Sequence, residues 1–349
     1  MKKTTKLVLL SMILLLTNQS YATKWRVNSN PSINANFTSL QAANNSSSVV
    51  AGDTLYCENG SYFGNVVLNK RLVIIGPGYF LAQNDSTQAY PSPSIINNLT
   101  FADGSDNTLV TGMKIIGQCK FGKVQYDTLT NISLVRNHIN NIYSNTSNYS
   151  TSENIVIRQC YITNYIYLDS KIQSVYIQNN IIVGYVSMTP VTGEFSNNTL
   201  ITSYSSSAFD ADNTTIFNNI IINNYSSTNQ SQQGVSSGTF IPSGNNTISH
   251  NVIDNTTIAT APNNYFSAVD TNVVDYTGSA DSQYQLKVGS PAIAYGFNNN
   301  DCGAFGGTYA YIISGLPYMI PHIFDAIIPG SANKTDGLNV IIKAKVQNQ

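Results

Sequence analysis

The chain has 349 residues, a formal net charge of −1 and only 10% charged residues. It carries no basic run or stripe to meet a phosphate backbone, which excludes an electrostatic nucleic-acid binder. Hydrophobic residues make up 42% of the chain and recur at fixed spacing, so the abundance of asparagine (45 residues) does not signal general disorder.

Residues 1–22 read as a secretory signal. Lys2, Lys3 and Lys6 form a basic start, Leu7 to Leu16 an apolar core, and Ser20-Tyr21-Ala22 a small-x-small cleavage site. An apolar core of about ten residues is too short to span a bilayer, and no later stretch is long and apolar enough to do so. No cysteine follows the core to accept a lipid. The mature protein is therefore expected to be exported: extracellular, on the cell surface or periplasmic. There Cys57, Cys119, Cys160 and Cys302 could pair in three ways, and their spacing matches no zinc site. At least two are expected to be simply buried thiols.

Residues 23–49 are expected to form an N-terminal segment with one short helix over Phe37–Ala43, with Thr38 and Gln41 at capping-box spacing. Such a helix would cover the exposed end of a stack of strands, around residues 33–45. Three short apolar runs follow, at 54–57, 65–68 and 72–75, separated by Asn59-Gly60, Asn69-Lys70 and Gly76-Pro77-Gly78. Three strands with tight corners make one turn of a coil.

The stretch Gly52-Asp-Thr-Leu-Tyr56, Asn59-Gly-Ser-Tyr62 and Lys70-Arg-Leu-Val-Ile-Ile-Gly76 resembles the first coil of right-handed parallel β-helix proteins of the pectin lyase-like superfamily. Pectate lyases, pectin methylesterases and many bacterial surface proteins belong to it. Gly289-Ser-Pro-Ala-Ile-Ala-Tyr-Gly296 with Asp301-Cys-Gly-Ala-Phe-Gly-Gly307 is similar to the closing coil of its secreted bacterial members. The resemblance spans roughly residues 50 to 310. It implies the fold; the catalytic motifs of the family's enzymes (Asn-Thr-Asp, His-Gly, Arg-Ile-Lys and Arg-x-Pro-x-x-Arg) do not occur in the chain.

The middle of the chain repeats the unit apolar-x-x-Asn-x-apolar. It occurs as Leu134…Asn137…Ile139, Ile157…Cys160…Ile162, Ile177…Asn180…Ile182, Phe195…Asn198…Leu200, Ile216…Asn219…Ile221 and Ile248…Asn251…Ile253, with starts 18 to 32 residues apart. Val110…Met113…Ile115 fits the same frame. A period near 20 residues means a coil stacked on itself. The expected architecture is all-β: a right-handed parallel β-helix solenoid over residues 50–307, with three short strands per turn and about ten turns. A left-handed coil would need a strict six-residue period, which is absent. In this frame the apolar residues stack in inward columns, and the Asn column bonds across the corner and to its own copies above and below; Cys160 takes one place in that column. Loops are expected within 79–105 and 223–246, and residues 308–349 as a C-terminal cap or tail. The tail either lies back along the stack or serves attachment, and Leu338–Val346 reads as one edge strand.

Few residues offer chemistry. Arg136, Arg158 and Lys171 could converge as a basic patch for an acidic glycan, or as catalytic groups, with Glu153, Asp169 and His138 near them in sequence. Tyr161, Tyr165, Tyr167 and Tyr176, with Tyr185, could form an aromatic face for sugar rings. Asp210, Asp212 and Asn213 have the look of a weak calcium loop, but supply too few oxygens for calcium alone; no other metal site and no cofactor is expected. His250 and His322 have no triad partners at sequence spacing. The leading functional expectation is a noncatalytic exported protein that binds glycan or another surface ligand through a sheet face. The alternatives are a lyase acting on a uronate polymer and a structural adhesion rod, and the sequence leaves the oligomeric state open.

Overall fold

In the computed structural model the repeat builds two long parallel sheets whose strands follow chain order. The structure describes residues 22–62, 64–124, 126–144, 151–202, 209–223, 245–253, 264–266, 273–318, 320–332, 334–335 and 337–347. The expected leader, apart from Ala22, and nearly all of the 223–246 loop lie outside these residues.

The first sheet has ten strands, from Lys24–Val27 and Thr54–Cys57 to Thr214–Phe217 and Thr247–Ser249. The second has fourteen, from Gly60–Ser61 to Tyr265–Phe266. A third, small parallel sheet pairs Thr128–Thr130 with Thr151–Glu153.

The repeat explains this arrangement residue by residue. Its first apolar position lies in the first sheet, where Leu55, Ile74, Val110, Leu134, Ile157, Ile177, Phe195 and Ile216 stand in register. Its last apolar position lies in the second sheet, as the column Ile96, Ile115, Ile139, Ile162, Ile182, Leu200, Ile221 and Ile253. Every one of these side chains is buried. Branched and aromatic residues stacked on their own kind pack well on a pleated surface. The three strands expected in 54–75 form as Thr54–Cys57, Asn65–Leu68 and Val73–Ile75.

Between the two columns runs the asparagine ladder. Asn180, Asn198 and Asn219 each donate from Nδ2 to the next Asn Oδ1, at 2.9, 3.1 and 2.9 Å, and to a strand carbonyl at 2.8–2.9 Å. Each of these acceptor oxygens also takes the backbone N–H of the Asn before it in the ladder. Cys160 occupies its expected place, its N–H donating to Asn180 Oδ1 at 2.9 Å. These amides are fully buried and hydrogen-bonded on both sides, which offsets the cost of burying them.

The residue before each ladder position is left-handed: Arg136, Gln159, Asn179, Asn197, Asn218 and His250 all have φ between 52° and 57°. Asn tolerates this region better than most residues, which accounts for the Asn-Asn pairs in three of the units.

Several boundaries differ from expectation. Stacking begins at Lys24 rather than residue 50, because Lys24–Val27 pairs with Thr54–Cys57. The helix is Leu40–Asn45, capped by Ser39 Oγ accepting from Ala42 N at 3.1 Å. Phe37 cannot start it, since Phe37 N donates to Arg26 O and its ring packs on Trp25. Gln41 is not a capping-box partner of Thr38. Its Oε1 accepts from Val67 N at 2.7 Å while Asn44 Nδ2 donates to Val67 O at 3.1 Å, so helix side chains satisfy strand groups of Asn65–Leu68. All four cysteines are free and buried.

The largest departure is C-terminal. Residues 289–307 do not form a closing coil; residues 297–318 run back across the left-handed corner column, against the direction of stacking. Phe297 N bonds Asn218 Oδ1, Asn197 Nδ2 bonds Asp301 O, Asn179 Nδ2 bonds Ala304 O and Gly306 O, Gln159 Nε2 bonds Ala310 O, and Arg136 Nη1 bonds Leu316 O. Parts of 273–311 also cover the outside of the second sheet, where Ile181, Ile201 and Ile220 join Val274, Tyr284 and Tyr311 in a second core. Beyond this, Pro321–Ile327 and Ile341–Val346 form an antiparallel ribbon. Leu338 to Val340 stay outside its strands, and Ile327, Ile328, Ile341 and Ile342 are exposed on or beside it.

Candidate functional site

Beyond the part packed by the return segment, the second sheet has an outer face that is partly exposed among the described residues. Strands His138–Ser144, Tyr161–Leu168 and Tyr185–Met188 lie side by side there, with Ile142, Ile166 and Val186 in register and pointing inward. Alternation along a strand turns the intervening residues outward. Tyr143 therefore stands beside Tyr167, and Tyr165 beside Tyr185, on rows about 4.8 Å apart.

The Tyr165 and Tyr185 rings stack, with centroids 5.3 Å apart and planes at 22°. Tyr167 is 40% exposed, and Tyr143, Tyr165 and Tyr185 are partly so. Tyr143 donates from its hydroxyl to Gln118 Oε1 at 2.9 Å, and Lys120 Nζ lies 5.5 Å from its ring centroid. Partial burial, with Tyr165 beside it, raises the Tyr143 hydroxyl pKa, so the group stays neutral and available to hydrogen-bond. The result is an aromatic surface edged by amide and ammonium groups.

The structure sorts the expected tyrosines. Tyr165 and Tyr167 belong to this face. Tyr161 does not: it is 7% exposed and sits in the second core, its ring 4.9 Å from Phe80 and 5.4 Å from His138. Tyr176 is exposed but lies in the other sheet, on strand Ser174–Gln178. Tyr143 was missed in the sequence. Its signal was available, because it falls 24 positions before Tyr167, the same offset that relates Ile142 to Ile166.

The cationic triad does not assemble. Arg136 and Arg158 lie together under the return segment, whereas Lys171 is on the side holding the Thr128–Thr130 and Thr151–Glu153 pair, its carbonyl accepting from Ser152 N. Arg136 is not a solvated side chain: it is 2% exposed, with Nε donating to Gln159 Oε1 at 2.9 Å and Nη1 to Leu316 O at 3.0 Å. Arg158 donates from Nε and Nη2 to Gln178 Oε1 at 3.0 and 2.6 Å, and its guanidinium carbon lies 3.7 Å from the Tyr309 ring centroid.

The remaining candidates have structural partners. Asp212 Oδ1 accepts from Asn213 N and Asn245 N, as a turn residue does. Among the described residues no group of three or more His, Cys, Asp or Glu could hold a metal. His250 packs on Phe297 at 5.7 Å, and its carbonyl accepts from Cys302 Sγ. His322 is buried in the ribbon. His138 lies among Tyr79, Phe80 and Tyr161, and burial, with Lys114 adding to it, pushes its pKa down to about 3.

Neither a protein-family model nor a curated protein matches the chain. The functional reading therefore rests on the geometry of these sites.

Proposed function

We propose that the protein is an exported right-handed parallel β-helix that binds glycan through the tyrosine face of its second sheet. The β-helix reading is supported by parallel strands that repeat every 18 to 36 residues in the first long sheet and every 13 to 34 in the second, with alternating inward columns. The observation that carries the binding reading is the group Tyr143, Tyr165, Tyr167 and Tyr185, gathered on one partly exposed face with Lys120 and Gln118 at its edge.

Aromatic faces offer sugar rings an apolar C–H surface to cover, and the hydroxyl tips add hydrogen bonds. A nearby ammonium favours a chain carrying acidic groups. A lyase built on Arg136, Arg158 and Lys171 is disfavoured by their geometry, since Lys171 lies apart and Arg136 is occupied by Gln159 and Leu316.

Affinity electrophoresis through immobilised acidic and neutral polysaccharides tests the reading. Removing one ring that a sugar packs on is expected to cost about 0.5–1.5 kcal/mol, so Tyr167→Ala should weaken retention roughly 2- to 12-fold, and Tyr165→Ala with Tyr167→Ala should weaken it further. Unaltered retention in the double variant would refute it.

A further inference from the structure

The cavity between the first sheet and the return segment has a composition the tyrosine face does not explain. Its volume is ≈ 260 Å³, near the lower end for sites that take small organic molecules. Ile75, Leu109 and Val135 form its floor on the outer face of the first sheet, Pro317 belongs to the covering segment, and Arg136 and Arg158 are the cations that line it.

These two cations have unusual company. Every hydrogen-bond acceptor of Arg136 among the described residues is neutral, the Gln159 amide and the Leu316 carbonyl. Arg158 faces the Gln178 amide and the Tyr309 ring. The ion pairs among the described residues lie elsewhere, at Arg26–Glu58 and Lys343–Asp325. One acid lies beside Arg158: Glu194, whose charge favours the Arg158 cation and whose Oε1 accepts from Gln178 Nε2 at 2.6 Å. Arg158 is half-buried, whereas Arg136 is buried and has no such partner among the described residues. Burial, the largest cause in each case, lowers the pKa of both guanidinium groups. A buried cation without a counter-ion is costly, and a guanidinium's planar donors match a carboxylate.

We infer that this cavity binds a small organic carboxylate, its apolar body against Ile75, Leu109 and Val135 and its carboxylate toward Arg136 and Arg158. A free inorganic anion would leave the apolar floor unused, and a neutral ring would leave the buried Arg136 uncompensated. The site is separate from the tyrosine face, so either reading can fail without the other.

The test is calorimetric titration of the protein with benzoate, benzyl alcohol and inorganic phosphate, with melting temperature as a second readout. Benzoate should bind at one saturable site and raise Tm, with benzyl alcohol and phosphate each at least tenfold weaker. Arg158→Gln should weaken benzoate at least tenfold. Val135→Phe, which fills the floor and leaves both arginines in place, should abolish binding while the ligand-free protein still melts cooperatively. Benzoate binding no tighter than benzyl alcohol, phosphate binding as tightly as benzoate, or full benzoate affinity in Val135→Phe would each overturn the assignment.

Discussion

Replacing Asn198 with alanine probes the ladder at its middle. The side chain donates to Ile177 O at 2.8 Å and Asn219 Oδ1 at 3.1 Å, and accepts from Asn180 N at 3.0 Å and Asn180 Nδ2 at 2.9 Å. After truncation Asn180 Nδ2 keeps Ile157 O, and Asn219 Oδ1 keeps Asn198 N. The Asn180 N–H and the Ile177 carbonyl lose these partners inside a dry corner. Each buried group left unsatisfied costs about 1–3 kcal/mol, so the change should destabilise by about 2–6 kcal/mol. Asn198 is not among the left-handed residues, so alanine adds no backbone strain.

Urea unfolding measures the effect as a lowered midpoint at unchanged m-value. Asn154→Gly is the control. Asn154 is left-handed and exposed, and its Nδ2 donates to Asn131 Oδ1 in a second, solvated ladder; glycine keeps the backbone, and the cost should stay within about 0.5 kcal/mol. Equal small losses at both sites would refute the view that the buried ladder holds the corner.

Two further outcomes follow from burial. His138 is held neutral in the fold with a pKa near 3, against about 6.5 unfolded, so its contribution is fully present above pH 6.5 and is lost as pH falls toward 3. The slope approaches about 1.4 kcal/mol per pH unit, or about 2 kcal/mol between pH 6.5 and 5, and His138→Phe should flatten it. The comparison belongs above pH 5, because Asp53 and Glu58 lose their own stabilisation at lower pH. Burial raises the pKa of each, yet hydrogen bonds from Trp25, Val50 and Thr23 to Asp53, and from Arg26 and Asn28 to Glu58, hold both below their usual values. An unchanged pH slope in His138→Phe would contradict the burial assigned to this ring. The thiols of Cys57, Cys160 and Cys302 are pushed up to about 12 by burial, and Cys119 is raised in the same way. Ellman's reagent should find no reactive thiol in the native protein at pH 8 and four after unfolding in urea; fewer than four without reductant would mean a disulfide that the structure lacks.

What could be read in the sequence was what repeats. The inward columns and the ladder Asn137, Asn180, Asn198, Asn219 and Asn251 keep one spacing within the repeat unit, and each copy sits in register with the next. The left-handed residue before each ladder position was only half visible, as Asn in Asn179, Asn197 and Asn218 but as Arg, Gln and His in Arg136, Gln159 and His250. The return segment left no periodic trace, because its bonds to the corner side chains join residues 79 to 180 positions apart, as in Asn218 to Phe297 and Arg136 to Leu316. That segment also misdirected the site reading. It buries Arg136, at a left-handed corner, and Tyr161, which strand alternation alone places on an outer face, and it leaves Tyr165 and Tyr167 partly exposed.

The most direct test of the account is to present the wild-type protein with a panel of acidic and neutral polysaccharides, reading retention, new reducing ends and unsaturated-product absorbance together. The account predicts saturable retention of at least one glycan with no new ends and no new double bonds. Cleavage products, or silence in all three readouts, would contradict it.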